Sequence, residues 1–133
     1  MTDRAERQRT LIAALYDATG RGDWVAAEAH LTEGFFITEA AGLPFGGVYR
    51  GRGALRALYE KVLSMLAVER LEIEATTCGG DYAVTLLSFH FARDLSPVQI
   101  AEMFRFEGDL VAEIRPYYFD PEPVRAAVRA NAA

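Results

Sequence analysis

Val98-Gln99-Ile100-Ala101-Glu102-Met103-Phe104-Arg105-Phe106 is the stretch whose reading decides the fold. Its even positions Val98, Ile100, Phe104 and Phe106 are apolar, while Gln99, Arg105 and the following Glu107 stand on the odd side. Successive side chains of a strand point to opposite faces, so this period of two describes a strand with one apolar and one wet face. Glu102 falls on the apolar face. Upstream, across the turn Asp94 to Pro97, Tyr82 to Ala92 is apolar on both faces. Downstream, Glu107-Gly108-Asp109 turns the chain into a further strand, Leu110 to Phe119. Before Cys78-Gly79-Gly80-Asp81, Leu71, Ile73 and Ala75 alternate with Glu72, Glu74 and Thr76, again a strand with a single wet face.

Further out, the period changes to that of helices. Leu11, Ile12, Leu15 and Tyr16 form one stripe of a first helix that Gly20 and Gly22 stop. Asp23 is placed to cap a second helix through Trp24, Val25, Ala27 and Leu31, which Gly34 ends. Phe35 to Glu39 reads as a short strand and Gly42 to Gly51 as a shaped loop. A third helix buries Leu55, Leu58, Tyr59, Val62, Leu63 and Leu66. Three N-terminal helices followed by a strand meander predict an α+β class protein, with the helices packed on a curved antiparallel or mixed sheet. The double-faced apolarity of Tyr82 to Ala92 predicts that the outer sheet face is covered in a homodimer.

Composition narrows the function. The 133 residues suit a single domain spanning 1–133, and the 51% hydrophobic and 25% charged fractions are those of a globular chain. A formal charge of −5 without a basic stripe argues against nucleic acid as a partner. Apolar runs are far shorter than the roughly 20 residues of a membrane span, and Met1 to Arg9 lacks the apolar core of a signal peptide. The expectation is therefore a cytoplasmic protein with no membrane partner. One cysteine, Cys78, rules out an intrachain disulfide and a multi-thiolate metal site. Neither nucleotide loops nor metal-ligand spacings occur, so no cofactor and no metal are expected.

The acids carry the remaining information. A carboxylate on an apolar face is expensive when ionised, so Glu102 must find a partner or keep its proton. An arginine ion pair, or a bulge turning it outward, would serve equally. Glu39 ends its strand on the side of Phe35 and Ile37, where it reads also as a solvated strand end. Asp120, after Tyr117-Tyr118-Phe119 and before Pro121, reads also as the cap of a last helix. His90 in Ser88-Phe89-His90-Phe91 reads as a hydrogen-bonded structural residue.

The order helix–helix–strand–helix–strand, Gly22-Asp23-Trp24, Gly47-Val48-Tyr49-Arg50-Gly51, Ser88-Phe89 and Phe104-Arg105-Phe106 together resemble the nuclear-transport-factor-2-like superfamily. Within it the chain is most similar to ketosteroid isomerases and SnoaL-like polyketide cyclases. The resemblance implies a conical α+β barrel around an apolar pocket lined by Phe35, Ile37, Phe89, Phe104 and Tyr118. It also implies roles. Glu39 matches the general base at the end of the first strand, one methylene longer. Glu102 matches the protonated acid two residues before Phe-Arg-Phe that donates to an oxyanion. The helix tyrosine of the isomerases aligns with Leu15, and Tyr16 stands next to it. The late acid of the cyclases aligns with Asp120, while their helper histidine has no counterpart. The implied activity is cofactor-free proton transfer next to a carbonyl of a small apolar or polycyclic substrate. Cyclisation or water addition through Asp120, and a dimer that only binds a small apolar ligand, are the alternatives.

Overall fold

A computed structural model describes residues 3–132. Helix α1 (Arg4–Arg21) opens on Asp3, whose side chain accepts a hydrogen bond from the Glu6 backbone N–H, and closes on Gly22 in the left-handed conformation. Its buried stripe is Gln8, Ile12, Leu15, Ala18 and Thr19, with Leu11 and Tyr16 half-buried on its flanks. Asp23 caps α2 (Trp24–Glu28) through the Ala26 N–H at 3.1 Å.

Helix α2 does not reach Leu31 as its pattern predicts. It stops after five residues, because the His30 carbonyl is taken up by the Val111 N–H at 2.9 Å and Leu31 starts a strand. Strand β1 (Leu31–Glu39) is thus longer than its sequence signal. The glycine-rich loop shortens in turn, since β2 (Gly47–Arg50) pairs antiparallel with the end of β1. Gly46 is obligatory there: a Cβ would stand 2.3 Å from the Ala40 carbonyl oxygen. Helix α3 (Ala54–Met65) follows, then the meander β3 (Val68–Gly79), β4 (Tyr82–Phe91), β5 (Val98–Glu107) and β6 (Leu110–Tyr118). A further helix, α4 (Glu122–Ala132), closes the described chain.

The six strands form one sheet in the order β2-β1-β6-β5-β4-β3. All pairs are antiparallel except β1 with β6, so the sheet is mixed. It is curved but not closed, because the edge strands β2 and β3 do not meet. The core lies between the concave face and the helices, with Ile12, Leu31, Phe35, Val98, Phe104, Val111 and Val124 among its most deeply buried side chains.

One departure from simple alternation alters the inner face. The register of β3 shifts between Ile73 and Ala75, so Glu74 is an inserted residue and the parity reverses beyond it. Ala75 then pairs with Leu86 and Thr76 with Thr85. Ala75, expected inside, is exposed, while Thr76, expected on the wet side, is half-buried with its hydroxyl 2.9 Å from that of Thr85. On the convex face Tyr82, Leu86, Tyr117 and Phe119 are exposed. No helix among the described residues is long and apolar enough to cross a membrane.

Candidate active site

The concave face and helices α1 and α3 enclose a cavity of about 300 Å³. Helix α1 contributes Leu15, Tyr16 and Thr19, and α3 contributes Leu55, Leu58, Tyr59 and Val62. The sheet supplies Ile37 and Glu39 from β1, Leu71 from β3, Phe89 from β4, Glu102 and Phe104 from β5, and Ile114 from β6. Among these residues there are two carboxyls and no lysine, arginine or histidine.

Strand parity puts both acids there. The burial of β1 alternates through Phe35, Ile37 and Glu39, leaving Glu39 only 5% exposed rather than solvated at the strand end. Glu102 shares the inner face of β5 with Ile100 and Phe104 and sits opposite Thr85. It keeps some accessible surface, but that surface belongs to a wall of the cavity. Its partner is neither an arginine nor a turn to the outside. The Tyr16 hydroxyl donates to Glu102 Oε1 at 2.5 Å. The Tyr16 ring meets Phe104 edge to face, with centroids 5.9 Å apart. Tyr16 therefore reaches the site although Leu15 also faces it, because the long tyrosine side chain on the flank of the stripe spans the gap.

The two acids have unlike surroundings. Burial pushes the Glu102 carboxyl above its ordinary range, and the Tyr16 hydrogen bond offsets part of that. Burial, and then the charge of Glu102, push Glu39 up from 4.5 to about 8, while the nearby Tyr118 hydroxyl offsets part. Glu39 Oε1 is buried with no hydrogen-bond partner among the described residues. Both tyrosine hydroxyls are held protonated. Tyr16 is raised by burial first and by Glu102 second, and Tyr118 by burial and then by Glu39. Two carboxyls in one low-dielectric hollow interact strongly, so the pair titrates as a unit and resists carrying two charges.

The remaining expected residues divide. Ile37, Phe89 and Phe104 line the cavity as anticipated. Phe35 does not, being fully buried in the core beneath it. Tyr118 stands beside Glu39 rather than in the cavity wall. Asp120 is not brought to the cavity. It is exposed past the end of β6, where its carboxylate accepts from the Glu122 N–H at 3.0 Å and starts α4. His90 faces outward and pairs with Glu72 at 2.8 Å.

Sequence reasoning missed Thr19, Tyr59 and the α3 leucines as site residues. Tyr59 and the leucines carried only the signal of a buried helix stripe, which does not distinguish a core from a cavity wall. The Tyr59 hydroxyl donates to Thr19 Oγ1 at 3.2 Å, and Thr19 Oγ1 donates to the Tyr16 carbonyl at 3.1 Å. These bonds tie α3 to the turn of α1 that carries Tyr16. Among the described residues no three or more His, Cys, Asp or Glu side chains gather as a metal site would require.

A mixed sheet curled around an apolar hollow, with two carboxyls facing into it, defines an α+β cavity protein. The family model of the SnoaL-like domain matches residues 12–114, and the chain belongs to that family. Solved structures agree on the fold. An NTF2-like protein of unknown function from Burkholderia pseudomallei superposes with a TM-score of 0.79 at 18% identity, covering 92% of this chain and 97% of that one. Bal32a, from a soil-derived mobile gene cassette, gives a TM-score of 0.79 at 15% identity over 96% and 100% of the two chains. TerC, co-crystallised with polyporic acid, gives 0.79 at 13% identity over 92% and 98%. A comparison with curated proteins returns no match.

Proposed function

We propose that this protein is a cofactor-free acid–base catalyst that moves a proton at a carbon next to the carbonyl of a small apolar or polycyclic substrate. The supporting observation is a pair of buried carboxyls with unlike surroundings that open on one apolar cavity. Glu39 is the base. Its Oε1 has no competing hydrogen bond, and burial alone raises its carboxyl from the ordinary range toward neutral pH, where base strength and ionised fraction are best balanced. Glu102 and Tyr16 act on the oxygen. When Glu102 is protonated, Tyr16 donates to its Oε1 and the acid hydroxyl is left for the substrate.

The productive pair carries one negative charge, on Glu39. The arrangement with the charge on Glu102 holds the same number of protons, so pH alone does not choose between them. A carbonyl oxygen seated against Tyr16 and Glu102 does choose, since it accepts hydrogen bonds and repels a carboxylate. Transfer of the carbon proton to Glu39 then leaves enolate charge on an oxygen held by the Glu102 hydroxyl, an acid that Tyr16 in turn supports. Return of that proton to another carbon completes an isomerisation and restores both acids.

Deuterium incorporation into apolar cyclic ketones, followed by NMR in heavy water, tests this. Glu39→Gln should slow α-deuteration by about 10²–10⁴, the usual worth of a positioned general base. Exchange that stays unchanged in a variant with parental thermal unfolding would dismiss Glu39 as the base. The exposed Tyr82, Leu86, Tyr117 and Phe119 support a second element of this reading, a homodimer through the outer sheet face. Sedimentation as a monomer at micromolar concentration would remove it.

A further inference from the structure

Glu39 Oε1 is an acceptor buried without a donor, on a residue only 5% exposed. A ketone brings no donor to it. An ammonium group brings three, together with the positive charge that the cavity lining lacks. The rest of the wall is hydrocarbon, with Leu58, Val62, Leu71 and Phe89 turned toward the same space. We propose that this cavity also binds protonated lipophilic amines, the ammonium on the Glu39 carboxyl, whose unpartnered Oε1 turns into the cavity to meet it, and the hydrocarbon body against the apolar wall. Sign of charge, apolar lining and size each limit the ligand: a cation, lipophilic, and compact enough for about 300 Å³. Primary and secondary amines are favoured over quaternary ions, since the unpartnered oxygen needs an N–H.

Binding exchanges one cation for another. Near neutrality Glu39 holds its proton, being pushed up to about 8 by burial and by Glu102. An ammonium at Glu39 favours its carboxylate, so the Glu39 proton leaves while the amine keeps its own, to Glu102 where that acid carries the charge and to solvent where both acids are protonated. The other titratable groups at the cavity are Glu102 from β5, Tyr118 from β6 beside Glu39, Tyr16 from α1 and Tyr59 from α3. Strands β3 and β4 present only Val68, Leu71 and Phe89. None of these groups is a cation that would compete with the amine. The inference goes beyond the catalytic reading, because a pocket that turned nothing over would bind the same amines.

Calorimetric titration of the whole chain with adamantylamine and with adamantanol, near neutral pH, decides it. The amine is expected to bind about tenfold or more tightly than the alcohol of the same shape, as a charge-assisted hydrogen bond allows. Glu39→Gln should lose the preference while still binding adamantanol. Equal affinities, undetectable amine binding, or a preference that survives in Glu39→Gln would overturn the proposal. Tight amine binding without ketone deuteration would leave it standing and remove the catalytic reading; ketone deuteration without amine preference would do the reverse.

Discussion

The two faces of the sheet each bury an acid, and they treat it in opposite ways. Glu113 on the convex face and Glu39 on the concave face are both 5% exposed. Glu113 accepts from Arg115 at 2.6 Å and from Arg105 at 3.2 Å. Burial raises its carboxyl, but the two guanidinium groups outweigh that and hold it below the usual range. Glu39 has no guanidinium, one oxygen without a donor and a second acid in the same hollow, and it is pushed up to about 8. Equal exposure hides unequal depth. Glu113 lies under a thin cover of arginine side chains with solvent beyond, whereas Glu39 lies in the interior, where a charge loses its hydration. Low accessibility alone therefore does not set the charge of an acid. The partners decide, and acids buried without them mark the face where chemistry is expected.

The widest separation between the two faces should be in stability. Glu39 binds its proton more tightly when folded, so its contribution is complete below about 4.5 and is lost as pH rises toward about 8. Ionising it in place costs up to ~5 kcal/mol at the top of that range. Glu39→Gln cannot ionise, so urea unfolding should find it more stable than the parent by several kcal/mol at alkaline pH and equal to it at mildly acidic pH. Parallel stability curves would erase the contrast between the faces.

Glu113 should show a smaller effect of opposite slope. Its folded value is depressed, so its contribution is present above the ordinary carboxylate range and disappears as pH falls through the folded value. Glu113→Gln is expected to cost about 1 kcal/mol near neutrality, as one member of a near-surface ion-pair network, and nothing in strong acid. A loss that persisted at low pH would mean packing rather than charge.

The finest adjustment lies within the concave face. Tyr16→Phe removes the donor to Glu102, so Glu102 should rise further. Glu39, raised in part by the Glu102 charge, should then fall, because it becomes the first of the pair to ionise. Carboxyl ¹³C titration reads both. A Glu39 midpoint that stays put or rises would show that the pair is not coupled through Tyr16.

Legibility in the sequence followed the range of the interaction. Parity along Phe35–Glu39 and Val98–Phe106 placed Glu39 and Glu102 on apolar faces, and both acids line the cavity. Asp120 ahead of Pro121 carried a capping signal, and capping is what it does. The early start of β1, the strand β2 inside a glycine-rich segment and the parity reversal at Glu74 were not legible. Each depends on a pairing partner distant in the chain, or on one extra residue that leaves no compositional mark. The ion pair considered for Glu102 was equally plausible from the sequence, and a tyrosine from another element took its place.

Alternating and helical periods are properties of the local backbone, so the main helices and strands and the faces of Glu39 and Glu102 were determined by the chain alone. Whether those faces would meet was not. The parallel pairing of β1 with β6 brings Glu39 and Glu102 onto one curved wall. The seating of α1 and α3 over that wall leaves a hollow instead of a filled core. That convergence, and with it the absence of any cation beside the two carboxyls among the described residues, belongs to the tertiary structure, because it arises from contacts between residues far apart in sequence that no local pattern encodes.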